Sequence, residues 1–179
     1  MRTLNATKKT VYYGILTSLG LALHMMEGMI PNPFVGIMPG AKIGLANMIG
    51  LLSLVLFGFR FALAVNLTRV FMAGMLTGAV TSMIYGSVGA IASTFFMWVT
   101  IHYFRRVVSL VGVSLMGALA HNVAQLFVAS LMIQNPRIFV YLPFMMTASI
   151  FTGLFIGLTV HFVVEKIEGR FVQVRYSPT

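Results

Sequence analysis

Apolar residues in this chain do not alternate with polar ones at the period of a surface strand or a half-exposed helix; they run on, and the interruptions are short. A helix needs about 20 apolar residues to cross a hydrocarbon core of roughly 30 Å, and runs of that order recur along nearly the whole length. The pattern predicts six helices: Val11–Met29, Ile43–Phe57, Phe61–Leu76, Ser87–Phe104, Val107–Ile133 and Phe139–Val164. The second is short for a full span, so it starts in the headgroup region or tilts little. The longest connection, Ile30–Lys42, holds Pro31, Pro33 and Pro39 with Gly36 and Gly40, which forbids a regular helix. The stretch Gly78–Gly86 and the turn Gln134-Asn135-Pro136-Arg137 are the other breaks on that side. Gly58-Phe59-Arg60 and Arg105-Arg106 make tight turns on the opposite side.

Composition settles which solvent these helices meet. Apolar residues make up 59% of the 179 and charged residues 8%, against about 25% charged in a soluble domain, so no water-exposed surface can be built. The expected fold is an all-α, integral membrane six-helix bundle: residues 1–10 a cytoplasmic segment, 11–164 the six-helix transmembrane domain, 165–179 a basic cytoplasmic tail. A net charge of +9 would draw nucleic acid if clustered, but the charges flank apolar segments, so no nucleic-acid partner is expected. With both termini in the cytoplasm, Arg2, Lys8, Lys9, Arg60, Arg105, Arg106, Lys166, Arg170 and Arg175 lie inside and only Lys42 and Arg137 outside, as the positive-inside rule requires. The location this implies is the cell (inner or plasma) membrane. Lys8 and Lys9 before an apolar run resemble a signal peptide, but the run is long and no A-x-A pattern follows, so the first helix is expected to be retained.

Single-letter counts bound the chemistry. There is no Cys, hence no disulfide or thiolate metal site, and no Asp; the carboxylates are Glu27, Glu165 and Glu168. With only Glu27 deep in an apolar segment, catalysis by paired carboxylates is nearly excluded.

Polar groups within membrane helices are costly, and each is a site hypothesis by default. Arg69 follows Arg60 by nine residues, roughly 13 Å of helix, which places it mid-membrane. Asn66 is three residues earlier on the same face. His121, Asn122 and Gln125 fall at 0°, about 100° and about 40° around one helix, able to share an interior wall. His24 and Glu27 share a face near the outer end of the first helix. Glu27, Asn47, Asn66, Arg69, His121, Asn122 and Gln125, turned inward, predict a polar pocket toward the outer leaflet beneath the Pro-Gly connection. A second arrangement is open to the same residues: Glu27 pairs with Lys42 or Arg69 and the amides tie helices together. His24, Glu27 and His121 have the chemistry of a zinc or nickel site, but the spacing is weak evidence and no metal or other cofactor is expected. Gly14, Ser18 and Ala22 recur every four residues, a flat strip suited to close helix approach, whether by a partner or within the chain. Gly112, Gly117, Gly153 and Gly157 are expected to serve internal packing.

Several strings resemble one family. EGMIPNPFVGIMPGAKIGLAN from Glu27, the later Arg69, YGSVGAIAS from Tyr85, GVSLMGALAHNVAQLFVASL from Gly112 and YLPFMMTASIFTGLFIGL from Tyr141 are similar to the Gx transporter family, labelled heptaprenyl diphosphate synthase component I and grouped with the substrate-binding (S) components of energy-coupling factor (ECF) transporters. The resemblance covers roughly residues 10 to 165. It implies an ECF S-component-like bundle that captures a small molecule from outside and docks through the Gly14, Ser18, Ala22 strip onto a coupling transmembrane subunit served by two ATPases. Glu27, Lys42, Asn47, Arg69, His121, Asn122 and Gln125 match the family's polar positions; His24 does not. The chain has no GxxxxGK[ST], so ATP hydrolysis falls to partners. Nor can it be a self-sufficient prenyl synthase: Mg²⁺ holding a diphosphate prefers carboxylate oxygens, supplied in known synthases by aspartate-rich motifs, and there is no aspartate. The expected protein is therefore not an enzyme. A second functional class is a quinone- or prenyl-lipid-binding accessory of an electron-transfer system, whose apolar wall the 14 Met and 15 Phe would suit.

Overall fold

A computed structural model describes residues 5–29, 46–104 and 106–167, without the side chain of Ser82. Among the described residues the chain is helical, with six α-helices: α1 Ala6–Met29, α2 Asn47–Phe57, α3 Phe59–Thr77, α4 Val80–Phe104, α5 Leu110–Ile133 and α6 Leu142–Ile167. A 3-10 helix, Pro136–Tyr141, leads into α6. The helices α3, α5 and α6, and α4 from Met83, are long and apolar enough to cross a membrane. Phe71, Phe95, Phe127, Phe144, Phe151, Phe155 and Phe162 stand exposed on them, an apolar exterior that no water-soluble monomer of this size tolerates. This is a multi-pass membrane protein.

Turn chemistry sets the breaks. Gly58 joins α2 to α3 as a single residue at φ 88°, ψ −179°, backbone space that essentially only glycine occupies; its N–H donates to the Leu54 carbonyl (3.0 Å) and its carbonyl accepts from Ala62 (3.1 Å). Gly78, left-handed at φ 69°, ends α3. Ser109 caps α5 by accepting from the Gly112 N–H (3.4 Å). Asn135 accepts from the Arg137 N–H (3.0 Å) ahead of α6.

Several boundaries differ from expectation: α1 begins at Ala6, not Val11, and α5 at Leu110, not Val107. α4 begins at Val80, not Ser87, and Gly86 lies inside it. Only Gly78 breaks the chain; Gly86 and Gly89 are helical positions where neighbours come close. A β-carbon on Gly86 would stand 3.3 Å from Val70 of α3. At the start of the last helix, Phe139 falls in the 3-10 segment, and α6 itself starts at Leu142.

α2 is central. It packs against α1, α3, α4 and α6, and Ile49 through Leu56 are all buried. Being short is compatible with this place because α2 need not span the bilayer; its 11 residues rise roughly 16 Å. Around it, Leu16, Val65, Met97, Val113, Ile156, Val160 and Val164 close a core that draws on all six helices. On the periphery, α3 packs on α4, α4 on α5 and α5 on α6. The last contact is close because β-carbons on Gly153 and Gly157 would stand 2.8 Å from Leu115 Cδ2 and 2.4 Å from Val111 Cα; as expected, these glycines serve internal packing.

Candidate functional site

Beyond the N-terminus of α2 the interior is not filled. A cavity of about 400 Å³ opens there, within the roughly 300–1,000 Å³ typical of small-molecule sites. The C-terminal parts of α1 and α3, the N-terminal parts of α2 and α4, the middle of α5 and the N-terminal half of α6 with Ile156 form its walls, so α1 to α4 alternate in direction and bring their same-side ends together.

On α1, Gly20, His24 and Glu27 recur at helical spacing and turn toward α3. Arg69 of α3 is 3% exposed and Glu27 5%, a degree of burial ionised side chains tolerate only with partners. The Arg69 Nη1 donates to His24 Nδ1 at 3.3 Å, and the charge of Glu27 acts on the guanidinium. Glycine at position 20 makes room for this: a β-carbon there would stand 3.0 Å from Arg69 Cδ.

α5 supplies the opposite wall. His121 and Gln125 lie over Gly89 of α4, where a β-carbon would be 2.9 Å from His121 Cε1 and from Gln125 Cγ. Asn122 also lines the cavity, yet its Nδ2 donates to the Met145 carbonyl (3.2 Å) and to Ser149 Oγ, so it ties α5 to α6. Asn47 lines the cavity from α2, with Tyr85, Ser149 and Thr152 adding hydrogen-bonding groups.

The structure thus gathers six of the eight expected residues, Glu27, Asn47, Arg69, His121, Asn122 and Gln125, around one space. Asn66 is elsewhere. Its Nδ2 donates to Thr94 Oγ1 (3.0 Å), and it rests on Gly50 of α2, where a β-carbon would stand 2.5 Å from that nitrogen. It ties α2, α3 and α4 together just below the cavity. The reason is angular: Asn66 and Arg69 share a side of α3 but diverge by about 60°, enough to aim one at α2 and α4 and the other at α1. Lys42 and the Pro-Gly connection lie outside the described residues. His24, Glu27 and His121 form no metal group, for no cluster of three or more His, Cys, Asp or Glu occurs among the described residues.

Sequence reasoning missed Gly20, Gly50 and Gly89, each a seat for a polar side chain of another helix, and no signal within one helix marks them. It noted His24 but gave it no place in the pocket. Gly14, Ser18 and Ala22 are all exposed, and a β-carbon on Gly14 would meet nothing within 4 Å. They form an open strip on α1, turned away from the buried Leu16, Thr17, Gly20 and Glu27.

A family model described as heptaprenyl diphosphate synthase component I matches residues 16–163, reaching into all six helices and including every described cavity residue. No curated protein matches the chain, and no solved structure does.

Proposed function

The chain belongs to the heptaprenyl diphosphate synthase component I family, and from that premise we propose that it is the membrane-embedded substrate-binding (S) component of an ECF-type importer. The observation that carries this reading is the cavity at one end of the bundle, walled by polar side chains on otherwise apolar helices. A polar group held inside a membrane helix is retained where it meets a ligand or a partner helix; Arg69, His121 and Gln125 line the cavity. In the orientation set by the basic residues, the cavity faces the outside. It takes up a small molecule there, and partner subunits drive its delivery inward.

The exposed Gly14, Ser18, Ala22 strip is the surface offered to a coupling subunit, which in turn works with two ATPases. Small residues suit this role because lipid gives helices no hydrophobic reason to associate; close backbone approach and packing must do so. The chain does no chemistry of its own. The absence of aspartate removes the usual Mg²⁺-diphosphate ligands of a prenyl synthase, so the family label is read as a name and not an activity.

Mild solubilisation of the tagged full chain from its native membrane, followed by mass spectrometry of the copurifying subunits, tests the proposal. A coupling membrane protein and two ATPase subunits are expected with wild type and lost in Gly14→Leu or Ser18→Leu. Recovery of a flavin or quinone protein in their place would replace this reading with the electron-transfer one.

A further inference from the structure

Resting on the reading of the cavity as a small-molecule site, we propose that His24 and Arg69 act as one receptor for an oxyanion of the ligand, a carboxylate or a phosphate, with His24 as the positioning residue.

The hydrogen bond between them fixes a protonation state. Arg69 Nη1 and His24 Nδ1 are 3.3 Å apart. A guanidinium has donors only and stays protonated in proteins, so the imidazole nitrogen is the acceptor: His24 is neutral, with its proton on Nε2. A neutral acceptor does what a carboxylate at this position would not. It holds one corner of the guanidinium without cancelling its charge. The rest of the group is not used up, since Arg69 Nε is buried and has no hydrogen-bond partner, on a side chain that lines the cavity. A buried donor left unmatched is costly, more so when charged. An oxyanion supplies the missing acceptor with the planar geometry that arginine matches in preference to lysine.

Other titratable or charged groups on this wall are Glu27 of α1, Tyr85 of α4 and His121 of α5; α2 and α6 bring none among the described residues. Glu27 balances Arg69 in part through its field, which makes the buried cation tolerable before ligand arrives. A protonated imidazole could not accept from Arg69, so the neutral form is the one that positions it.

The test uses the full chain in neutral detergent, with acetate and inorganic phosphate as probes, acetamide as the uncharged isostere of acetate, and thermal midpoint as the readout. Acetate and phosphate raise the midpoint and acetamide does not. His24→Ala weakens the anions about tenfold, the order of one hydrogen bond to a charged group. His24→Asn, whose Oδ1 takes the place of Nδ1 as an acceptor, restores affinity, a response a merely structural histidine would not give. Equal protection by acetamide and acetate, no protection by either anion, or wild-type affinity in His24→Ala overturns the proposal. Native mass spectrometry of wild type names the source: a retained phospholipid assigns a headgroup, a smaller acid a soluble ligand. A retained molecule with no acidic group sinks the oxyanion and leaves the cavity a binding site, whereas an empty protein that no solute protects counts against the site itself.

Discussion

Where α2 turns into α3 through Gly58, Leu51, Val55, Val65, Val113, Val160 and Val164 are almost fully buried against one another; at the other end of the same helices, Arg69, His121 and Gln125 border about 400 Å³ of space. Hydropathy does not separate the two ends, because both belong to long apolar helices. The difference is the length of one element. α2 rises roughly 16 Å, about half of a hydrocarbon core of roughly 30 Å. It fills the middle of the bundle at one end and begins at Asn47, beyond which, among the described residues, the five longer helices border a space with no central helix. Polar side chains that would be intolerable against α2 have somewhere to point. Solidity and hollowness are thus two consequences of the same short helix.

The largest effect expected from breaking this contrast is at the solid end. Leu51 is 0% exposed, and in lipid its worth comes from packing, since hydrocarbon is as apolar as the core itself. Leu51→Ala leaves a void that its neighbours cannot fill and should cost about 2–5 kcal/mol, seen as a lower thermal midpoint in detergent. Ligand retained per folded molecule should stay at the wild-type level. Loss of ligand at full stability would show that the two ends are not separable.

Arg69→Ala makes the reverse cut. Truncating a buried charge that contacts ligand costs about 2–5 kcal/mol of binding, about thirtyfold or more in affinity. Expression should be preserved. Arg69→Met, which keeps most of the volume, should bind as poorly as Arg69→Ala if charge is what matters. Unchanged ligand retention in both variants would remove Arg69 from the site.

The sequence told these ends apart only in part. Six helices were legible because each is an apolar run bounded by breaks, and Arg69, His121 and Gln125 were legible because a polar group inside such a run is itself a signal. The start of α4 was not: Gly86 looks like a breaker in water, but membrane helices use glycine for close packing, and here it faces Val70. Nor could the sequence separate Asn66 from Asn47. Both are amides in apolar helices, and whether each meets the cavity or a threonine of α4 is set by which helices stand beside it. His24 was undervalued for the same reason, since its importance comes from Arg69, 45 residues away in the chain. The seats provided by Gly20, Gly50 and Gly89 are relations between two helices, and one helix carries only half of each.

Two of those glycines give a finer comparison, because each seats a polar side chain of α3 and only one of those side chains faces the cavity. A methyl at position 50 would stand 2.5 Å from Asn66 Nδ2 and 2.8 Å from its Oδ1. Asn66 cannot swing aside without giving up Thr94. Gly50→Ala should therefore lower stability by about 1–3 kcal/mol, as overpacking does, with little change in affinity once folded protein is compared. Gly20→Ala meets a different neighbour: Arg69 Cδ at 3.0 Å, part of a flexible stem that can yield by a few tenths of an ångström. Stability should hardly change, but the guanidinium shifts against His24 and the cavity. A loss of affinity of roughly threefold to tenfold is expected, below about 1.4 kcal/mol. If Gly20→Ala instead destabilised the fold and left binding intact, Arg69 would belong with Asn66, as a tie between helices and not a wall of the site.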